Sequence, residues 1–149
     1  MIAVLQRVSR ASVTVEQHII AETGPGLLIL AGLEKGDGDN DLDHIARKCV
    51  ELRIFPDDEG KMNRSVLEIG GAILAVSQFT LAADIRKGRR PSFDTAMPPD
   101  EASPLFDLFV KKLSALGATV ATGSFGAHMQ VALVNDGPVT FILDSRKRL

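Results

Sequence analysis

An unbroken apolar run at residues 27–33, Leu-Leu-Ile-Leu-Ala-Gly-Leu, is the feature that most restricts the fold. It follows the turn Gly24-Pro25-Gly26, and a short apolar run bounded by turn residues is typical of a β-strand buried on both faces. Such a strand lies inside a layered structure, because other elements have to cover each of its faces. The rest of the sequence must supply those layers.

Further β-rich segments and two helical segments can do so. The alternation in Ser12-Val13-Thr14-Val15 is typical of a half-buried strand. Besides residues 27–33, strands are predicted over residues 2–8, 12–15, 19–21, 72–79, 119–122, 129–134 and 139–143. Together with two helices, these segments predict an α/β fold: a single domain over residues 1–149, with packed mixed β-sheets and two main helices on one side.

The helices are predicted from apolar residues at helical spacing. The first follows a polar turn at residues 36–40 and ends before Phe55-Pro56. The second covers residues 103–116, with Ser103 as its cap and Pro104 at its first position, although Asp100 is a competing start. Residues 82–98, before this helix, are predicted to form an ordered loop. The two apolar stripes are Leu42, Ile45, Ala46, Cys49 and Leu52, and Leu105, Leu108, Phe109, Leu113 and Leu116.

Composition restricts the class of protein. The single cysteine, Cys49, excludes an internal disulfide framework and a multi-thiolate metal site, and its apolar setting favours a buried side chain. Residues 1–5 are apolar but are followed at once by Gln6 and Arg7, so no export signal is predicted. No apolar run approaches the roughly 20 residues that span a bilayer. A cytoplasmic protein is expected.

Positive charge is concentrated in two clusters. The net charge is −2, but removing the seven clustered cations from 17 Lys and Arg leaves 10 against 19 Asp and Glu, a net −9. An anionic partner would therefore be met locally, although two solvated loops are the simpler alternative. The clusters are Arg86, Lys87, Arg89 and Arg90, and Arg146, Lys147 and Arg148.

Several common catalytic sites are absent from the sequence. Asp37, Asp39 and Asp41 resemble the start of a calcium loop, but Leu42 and Lys48 stand where such a loop needs Gly and Glu. The three histidines lack metal-ligand spacing, and there is no nucleophile elbow or P-loop. With no Trp or Tyr and with scattered Phe, no aromatic stacking surface is predicted either. An enzyme with this sequence would use no metal or other cofactor and would act by positioning and by backbone hydrogen bonds.

Two segments do not look like plain core. In Ser77-Gln78-Phe79-Thr80 an apolar strand turns polar at its end, which favours a site and a polar strand terminus equally. Asn135-Asp136-Gly137-Pro138 is, on local grounds, a hairpin turn with a trans Gly-Pro bond, because only about 5–6% of X–Pro bonds in folded proteins are cis.

Taken together, the two segments resemble the signature of the D-aminoacyl-tRNA deacylases. That family carries an S-Q-F-T motif and an N-x-G-P-V-T motif at these relative positions, and both are intact at residues 77–80 and 135–140. Other family-like stretches extend the resemblance over nearly the whole chain. They are Gln6-Arg7-Val8, Ala11-Ser12-Val13, Gly60-Lys61-Met62-Asn63, Arg90-Pro91-Ser92-Phe93 and Met129-Gln130-Val131.

The resemblance implies a homodimer with its active sites at the subunit interface. The Gly137-Pro138 bond would be cis and would project into the partner's pocket, where its carbonyl oxygens accept from the substrate's α-amino group. An L side chain would have no room, whereas glycine, and hence glycyl-tRNA, would be poorly excluded. Arg7 and Asn135 would support this loop.

The resemblance also implies hydrolysis of the ester between the aminoacyl group and the terminal adenosine of tRNA. Ser77, Gln78, Phe79 and Thr80 form the expected catalytic segment, whose backbone would stabilise the oxyanion. Thr80 as nucleophile is the alternative to a positioned water assisted by the substrate 2′-OH, which is preferred because no adjacent base is evident. Phe125 and Met129 would line the adenine or the aminoacyl pocket. Arg86, Lys87, Arg89 and Arg90 would contact tRNA phosphates.

Two other functions remain open from the sequence. A non-enzymatic nucleic-acid-binding dimer would use both basic clusters, but this function does not explain the motifs at residues 77–80 and 135–140. An esterase for small molecules would not need the basic loop.

Overall fold

The computed structural model describes residues 1–149 and contains eight strands, two α-helices and one 3₁₀ turn. No helix is long and apolar enough to cross a membrane. In chain order the elements are β1 (Ile2–Val15), β2 (His18–Thr23), β3 (Gly26–Gly32), α1 (Asp39–Glu51), β4 (Phe55–Pro56), β5 (Met62–Arg64), β6 (Ala72–Ser77), the 3₁₀ turn (Phe79–Ala82), α2 (Pro99–Ala115), β7 (Thr119–Thr122) and β8 (Gln130–Asp144).

Six strands form one mixed sheet in the order β2-β1-β3-β6-β7, with β8 on the other edge of β1. β3, β6 and β7 run parallel, and β1 is antiparallel to β2, β3 and β8. Because the first half of β1 pairs with β3 and its second half pairs with β2, the sheet folds over and brings β2 against β6 and β7. The predicted packed mixed sheets are thus two layers of one folded sheet.

Strand β3 is covered on both faces, as the apolar run predicts. Leu27 and Ile29 belong to the larger core, which includes the buried residues of both helices. Leu28 points the other way into a smaller core between the layers of the sheet, with Leu74 and Val76 of β6. The prediction that both helices lie on one side is therefore confirmed.

Two of the observed strands each join two segments that the sequence predicts as separate strands. Residues 2–8 and 12–15 are one strand, and so are residues 129–134 and 139–143, since both parts of β8 pair with β1. The prediction of a hairpin turn between the last two strands is therefore wrong. The short β4–β5 ladder was not predicted, and β6 ends at Ser77 rather than at residue 79.

The second helix begins four residues earlier than the predicted start at Ser103. The N–H groups of Glu101 and Ala102 already donate to Pro98 O, at 3.0 and 2.8 Å, so the helix is formed before Ser103. Pro104 therefore lies inside the helix. Because proline has no N–H group, the carbonyl of Asp100, one turn earlier, receives no helical hydrogen bond, and this exposed part of the helix leaves it open to water. The first helix and the stop at Gly117, whose φ is +103°, agree with the prediction.

Candidate active site

A pocket of about 600 Å³ opens at the carboxyl ends of β3 and β6. Thirteen of its 19 lining residues are hydrophobic, so the polar groups in it are few and stand out. Ser77, Gln78 and Phe79 line it from the end of β6, and Phe125 and Met129 line it from the segment before β8. The pocket therefore brings most of the predicted catalytic segment together with both predicted pocket residues.

The backbone of residues 77–80 leaves two N–H groups free. The Gln78 N–H is occupied, because it donates to Ala31 O at 2.8 Å and so continues the β3–β6 pairing past Ser77. Phe79 and Thr80 are the first residues of the 3₁₀ turn, and the first N–H groups of a helical turn have no acceptor within it. These two adjacent donors, rather than that of Gln78, are available to a ligand.

Thr80 lies beside the pocket without a base. Its hydroxyl oxygen accepts a short hydrogen bond from the Gln78 side-chain amide, and no histidine or carboxylate contacts it. An amide cannot remove the hydroxyl proton. The geometry thus orients the Thr80 side chain but does not activate it.

Glycine at position 32 allows this arrangement. A Cβ there would lie 2.9 Å from Gln78 O and 2.9 Å from Leu81 Cβ. The backbone of Gln78 can therefore pack directly on the end of β3, which fixes the direction of the 3₁₀ turn relative to the pocket.

The Asn135–Val139 segment is a wide bulge in β8 and not a turn. Gln6 pairs with Thr140 and Val8 pairs with Asn135, so residues 136–139 lie opposite Arg7 alone. The Gly137–Pro138 bond within the bulge is cis, in agreement with the family resemblance and against the trans bond expected on local grounds. Gly137 and Pro138 are both exposed.

Arg7 and Asn135 hold this bulge. The Arg7 guanidinium, 12% exposed, donates from Nε to Asp136 O at 2.9 Å and from Nη1 to Ile54 O at 2.8 Å. The Asn135 amide donates to Arg7 O at 2.9 Å and to Val139 O at 3.0 Å, which closes the base of the bulge. The exposed Gly-Pro peptide therefore projects from a well-braced support.

Within one chain the bulge and the pocket do not meet. Neither Gly137 nor Pro138 lines the pocket, and no hydrogen bond connects either of them to residues 77–80. The structure thus assembles the predicted residues into two separate groups.

The comparisons identify the family. A family model described as D-Tyr-tRNA(Tyr) deacylase matches residues 4–144. The chain belongs to this family. Relatives named D-aminoacyl-tRNA deacylase include one from Syntrophotalea carbinolica, 58% identical over 99% of each chain, and one from Thermomicrobium roseum, 59% identical over 97% of this chain and 94% of the relative.

Solved structures show the same fold. A structure described as c-Myc DNA Unwinding Element Binding Protein has a TM-score of 0.93 and 42% identity, covering 97% of this chain and 98% of that one. A structure described as a probable eukaryotic D-amino acid tRNA deacylase has a TM-score of 0.78 at 19% identity, covering 95% and 97%, which supports the fold alone. The predicted fold of the D-aminoacyl-tRNA deacylases is therefore confirmed.

In this deacylase-family chain the first basic cluster lies on an exposed loop. Backbone bonds of 2.8 and 3.0 Å between Asp84 and Ser92 close the loop. Arg86 binds the Asp84 carboxylate through two hydrogen bonds, at 2.9 and 2.6 Å, which hold the pKa of Asp84 well below its usual range. Lys87, Arg89 and Arg90 are exposed and make no ion pair, so their charges are open to a ligand.

The two arginines of the second basic cluster are engaged inside the chain, whereas Lys147 is exposed. Arg148 donates to both oxygens of Glu34, at 3.0 and 2.6 Å, and also binds Asp144 at 2.8 Å. Arg146 binds the buried Asp37 carboxylate at 2.8 Å. Burial alone would raise the pKa of Glu34, but the guanidinium of Arg148 outweighs it and the pKa is lowered. This cluster fastens the C-terminal segment to the acidic residues that follow β3.

The sequence interpretation missed several lining residues, chiefly Phe93, Met97, Phe106 and His128. Phe93 lies in the family-like stretch at residues 90–93, and that stretch is the only feature of the sequence that points to a functional role for it. The expectation of scattered aromatic residues is wrong for two pairs at the pocket: the ring centroids of Phe106 and Phe125 lie 6.2 Å apart, and those of Phe79 and Phe93 lie 5.0 Å apart. Positions 79 and 93 are distant in sequence, and closure of the loop at Asp84 and Ser92 brings their rings together.

Proposed function

We propose that this protein hydrolyses the ester bond of D-aminoacyl-tRNA in the cytoplasm, releasing the D-amino acid and tRNA as a proofreading step of translation. The observation that carries the proposal is an apolar pocket lined by Phe79, whose N–H group and that of the adjacent Thr80 have no acceptor, in a chain of the deacylase family. An aminoacyl ester is activated, so a site that only positions and stabilises can cleave it.

The two free N–H groups are the oxyanion donors. Water attacks the ester carbonyl, and the negative charge that develops on its oxygen is stabilised by the N–H groups of Phe79 and Thr80. The carbon–oxygen bond to the ribose then breaks, and the ribose oxygen takes the proton that the attacking water loses, either directly or by relay through the neighbouring 2′-OH. Ser77 and Gln78 complete this end of the pocket, and Phe125 and Met129 line the part that receives the adenine or the aminoacyl group.

The role of Thr80 is open to a direct test. Because its hydroxyl has no base, Thr80→Ala is expected to retain most of the ester cleavage, with Thr80→Ser as the matched variant. If Thr80→Ala abolished cleavage while tRNA binding and the fold stayed intact, water would not be the nucleophile.

Selection for the D form comes from the bulge. The carbonyl oxygens of Gly137 and Pro138 accept from the α-amino group and leave no space for an L side chain, whereas a D side chain points away. A rigid clash discriminates better than added contacts do. Glycine has no side chain to clash, so glycyl-tRNA is a second substrate.

The active site is shared by two subunits of a homodimer. In one chain the bulge lies outside the pocket, so a second copy has to bring its Gly137–Pro138 peptide to residues 77–80. The outer edge of β8 is unpaired and carries the exposed apolar residues Val134, Phe141 and Ile142, which gives the second copy a surface to bury.

Mixing two inactive variants tests the shared site. A Gly137→Ala chain and a Phe79→Pro chain, which lacks one oxyanion donor, each spoil both sites of their own dimer. A mixed dimer keeps one intact site, so remixing equal amounts should restore roughly a quarter of the activity. No recovery, after exchange of subunits has been shown by mass, would mean that each site lies within one chain.

The exposed cations of the basic loop bind tRNA phosphates. Arg89→Ala with Arg90→Ala should weaken hydrolysis of charged tRNA, lessen its salt dependence and spare aminoacyl-adenosine. Equal effects on both substrates would favour an esterase for small molecules. A purely nucleic-acid-binding protein is less well supported, because both arginines of the second basic cluster are paired with acidic residues of the chain.

A further inference from the structure

Phe79 and Phe93 are exposed aromatic side chains placed side by side. They are 59% and 40% exposed, their ring centroids lie 5.0 Å apart, and the rings are tilted by 59°. Both line the pocket, so they extend from its rim into solvent. Burial within the chain does not explain this pair, because both side chains stay largely exposed to the pocket opening.

The pair lies at the base of the basic loop. Phe93 directly follows Ser92, whose backbone closes the loop on Asp84, and Thr95 Oγ1 donates to Ala82 O at 2.6 Å just beyond it. Arg90 is three residues from Phe93, at most about 10 Å along an extended chain. An aromatic surface beside unpaired cations is the combination that binds single-stranded nucleic acid, with bases on the rings and phosphates on the cations.

The size of the pocket limits what reaches the rings. A cavity of about 600 Å³ is suited to one drug-sized group, and the aminoacyl group with its adenosine is of that size. The next nucleotide back along the strand must then lie outside the pocket, at the rim where Phe79 and Phe93 are exposed.

We propose that Phe79 and Phe93 form a stacking surface for the penultimate base of the tRNA 3′ end, while the loop cations hold its phosphates. This inference rests on the proposed function and adds a second nucleotide subsite to it. Stacking on an aromatic ring tolerates any base, so the surface binds all tRNAs alike.

A pair of minimal substrates tests the subsite. The D-aminoacyl esters of adenosine and of cytidylyl-adenosine differ only by the extra nucleotide. Phe93→Ala should raise KM for the dinucleotide ester roughly 5- to 100-fold, the range for loss of one base–aromatic stack, and leave kcat unchanged. Because Phe93 also lines the pocket, the adenosine ester should show some rise in KM, but a much smaller one than the dinucleotide ester. Phe93→Tyr should restore the dinucleotide KM and Phe93→Leu should not, which separates stacking from apolar bulk.

A matched control comes from the same loop. Ile85 is 74% exposed and does not line the pocket, so Ile85→Ala should leave both substrates unaffected. Thermal unfolding shows whether each variant is folded.

Binding can also be observed without catalysis. The chain has no Trp, so Phe93→Trp introduces a single indole fluorophore. Cytidylyl-adenosine should quench its fluorescence, and adenosine should not.

The outcomes separate the subsite from the proposed function. Equal losses on both esters, or equal quenching by adenosine, would place Phe93 against the terminal nucleoside and overturn the inference. An unchanged KM for the dinucleotide ester in Phe93→Ala would also overturn it. If the wild type hydrolysed neither ester nor charged tRNA, the proposed function would fail, and quenching by the dinucleotide would still decide whether the surface binds a base.

Discussion

Removing the guanidinium of Arg7 should loosen the bulge and weaken chiral selection. Arg7 joins the bulge to the chain at Ile54 through hydrogen bonds of 2.9 Å to Asp136 O and 2.8 Å to Ile54 O. Arg7→Met keeps much of the side-chain volume and removes both bonds. The contact at 3.6 Å with the exposed Asp136 carboxylate adds little.

The magnitude follows from the two bonds. A hydrogen bond from a charged donor contributes about 1.5–3 kcal/mol, and the Ile54 carbonyl is left without its partner in a buried residue. The free energy of unfolding should therefore fall by about 3 kcal/mol. For a domain of this size that lowers Tm by roughly 6–12 °C.

The assay measures selectivity and stability together. The ratio of kcat/KM for D- and L-aminoacyl-tRNA should fall at least about tenfold in Arg7→Met, which corresponds to about 1.4 kcal/mol of lost discrimination. Arg10 is the control: it is an exposed arginine of the same strand without an ion pair, so Arg10→Met should change neither quantity. If Arg7→Met matched Arg10→Met in both Tm and selectivity, the bulge would not depend on this brace.

Three further outcomes are expected. In Gly137→Ala the new Cβ would lie 2.6 Å from Val139 Cγ2 at a φ of +146°, so the bulge must shift and D-ester hydrolysis should fall about 100-fold; unchanged kcat/KM would contradict its role. The bonds from Arg148 lower the pKa of Asp144 to about 2 from 3.8, so about 2 kcal/mol of stability, present above pH 4, should be lost as the pH falls through 2. Urea unfolding of the wild type and Asp144→Asn checks this, and identical pH profiles would refute it. Burial raises the pKa of the Cys49 thiol to about 12, so alkylation at pH 8 should require unfolding; rapid labelling of the native protein would contradict the buried position.

Local patterns predicted the elements whose burial follows directly from the spacing of their apolar residues. The apolar run at residues 27–33 predicted a strand covered on both faces, because its burial on two sides leaves no polar alternation. The first helix followed from its apolar spacing in the same way. The second helix starts earlier than predicted because hydrogen bonds to Pro98 O form the first turn, and Pro104 is tolerated inside it.

The bulge shows what local patterns miss. Asn-Asp-Gly-Pro is a good turn sequence, and nothing local shows that both flanking segments pair with the same strand. Pairing with β1 turns the expected hairpin into a bulge, and Arg7, from the other end of the chain, braces it. The Phe79–Phe93 contact was equally hidden, because it depends on closure of the basic loop. The family resemblance predicted the cis bond, which local chemistry did not, and the pairing of the two motifs in one site stays a prediction.

The most direct test of the account is the release of amino acid from one tRNA charged with either enantiomer of the same amino acid. The wild-type protein should release the D form many-fold faster and leave the L form close to its spontaneous rate of hydrolysis. Equal rates for the two enantiomers, or no release of the D form, would contradict the proposal that this protein is a chirally selective deacylase.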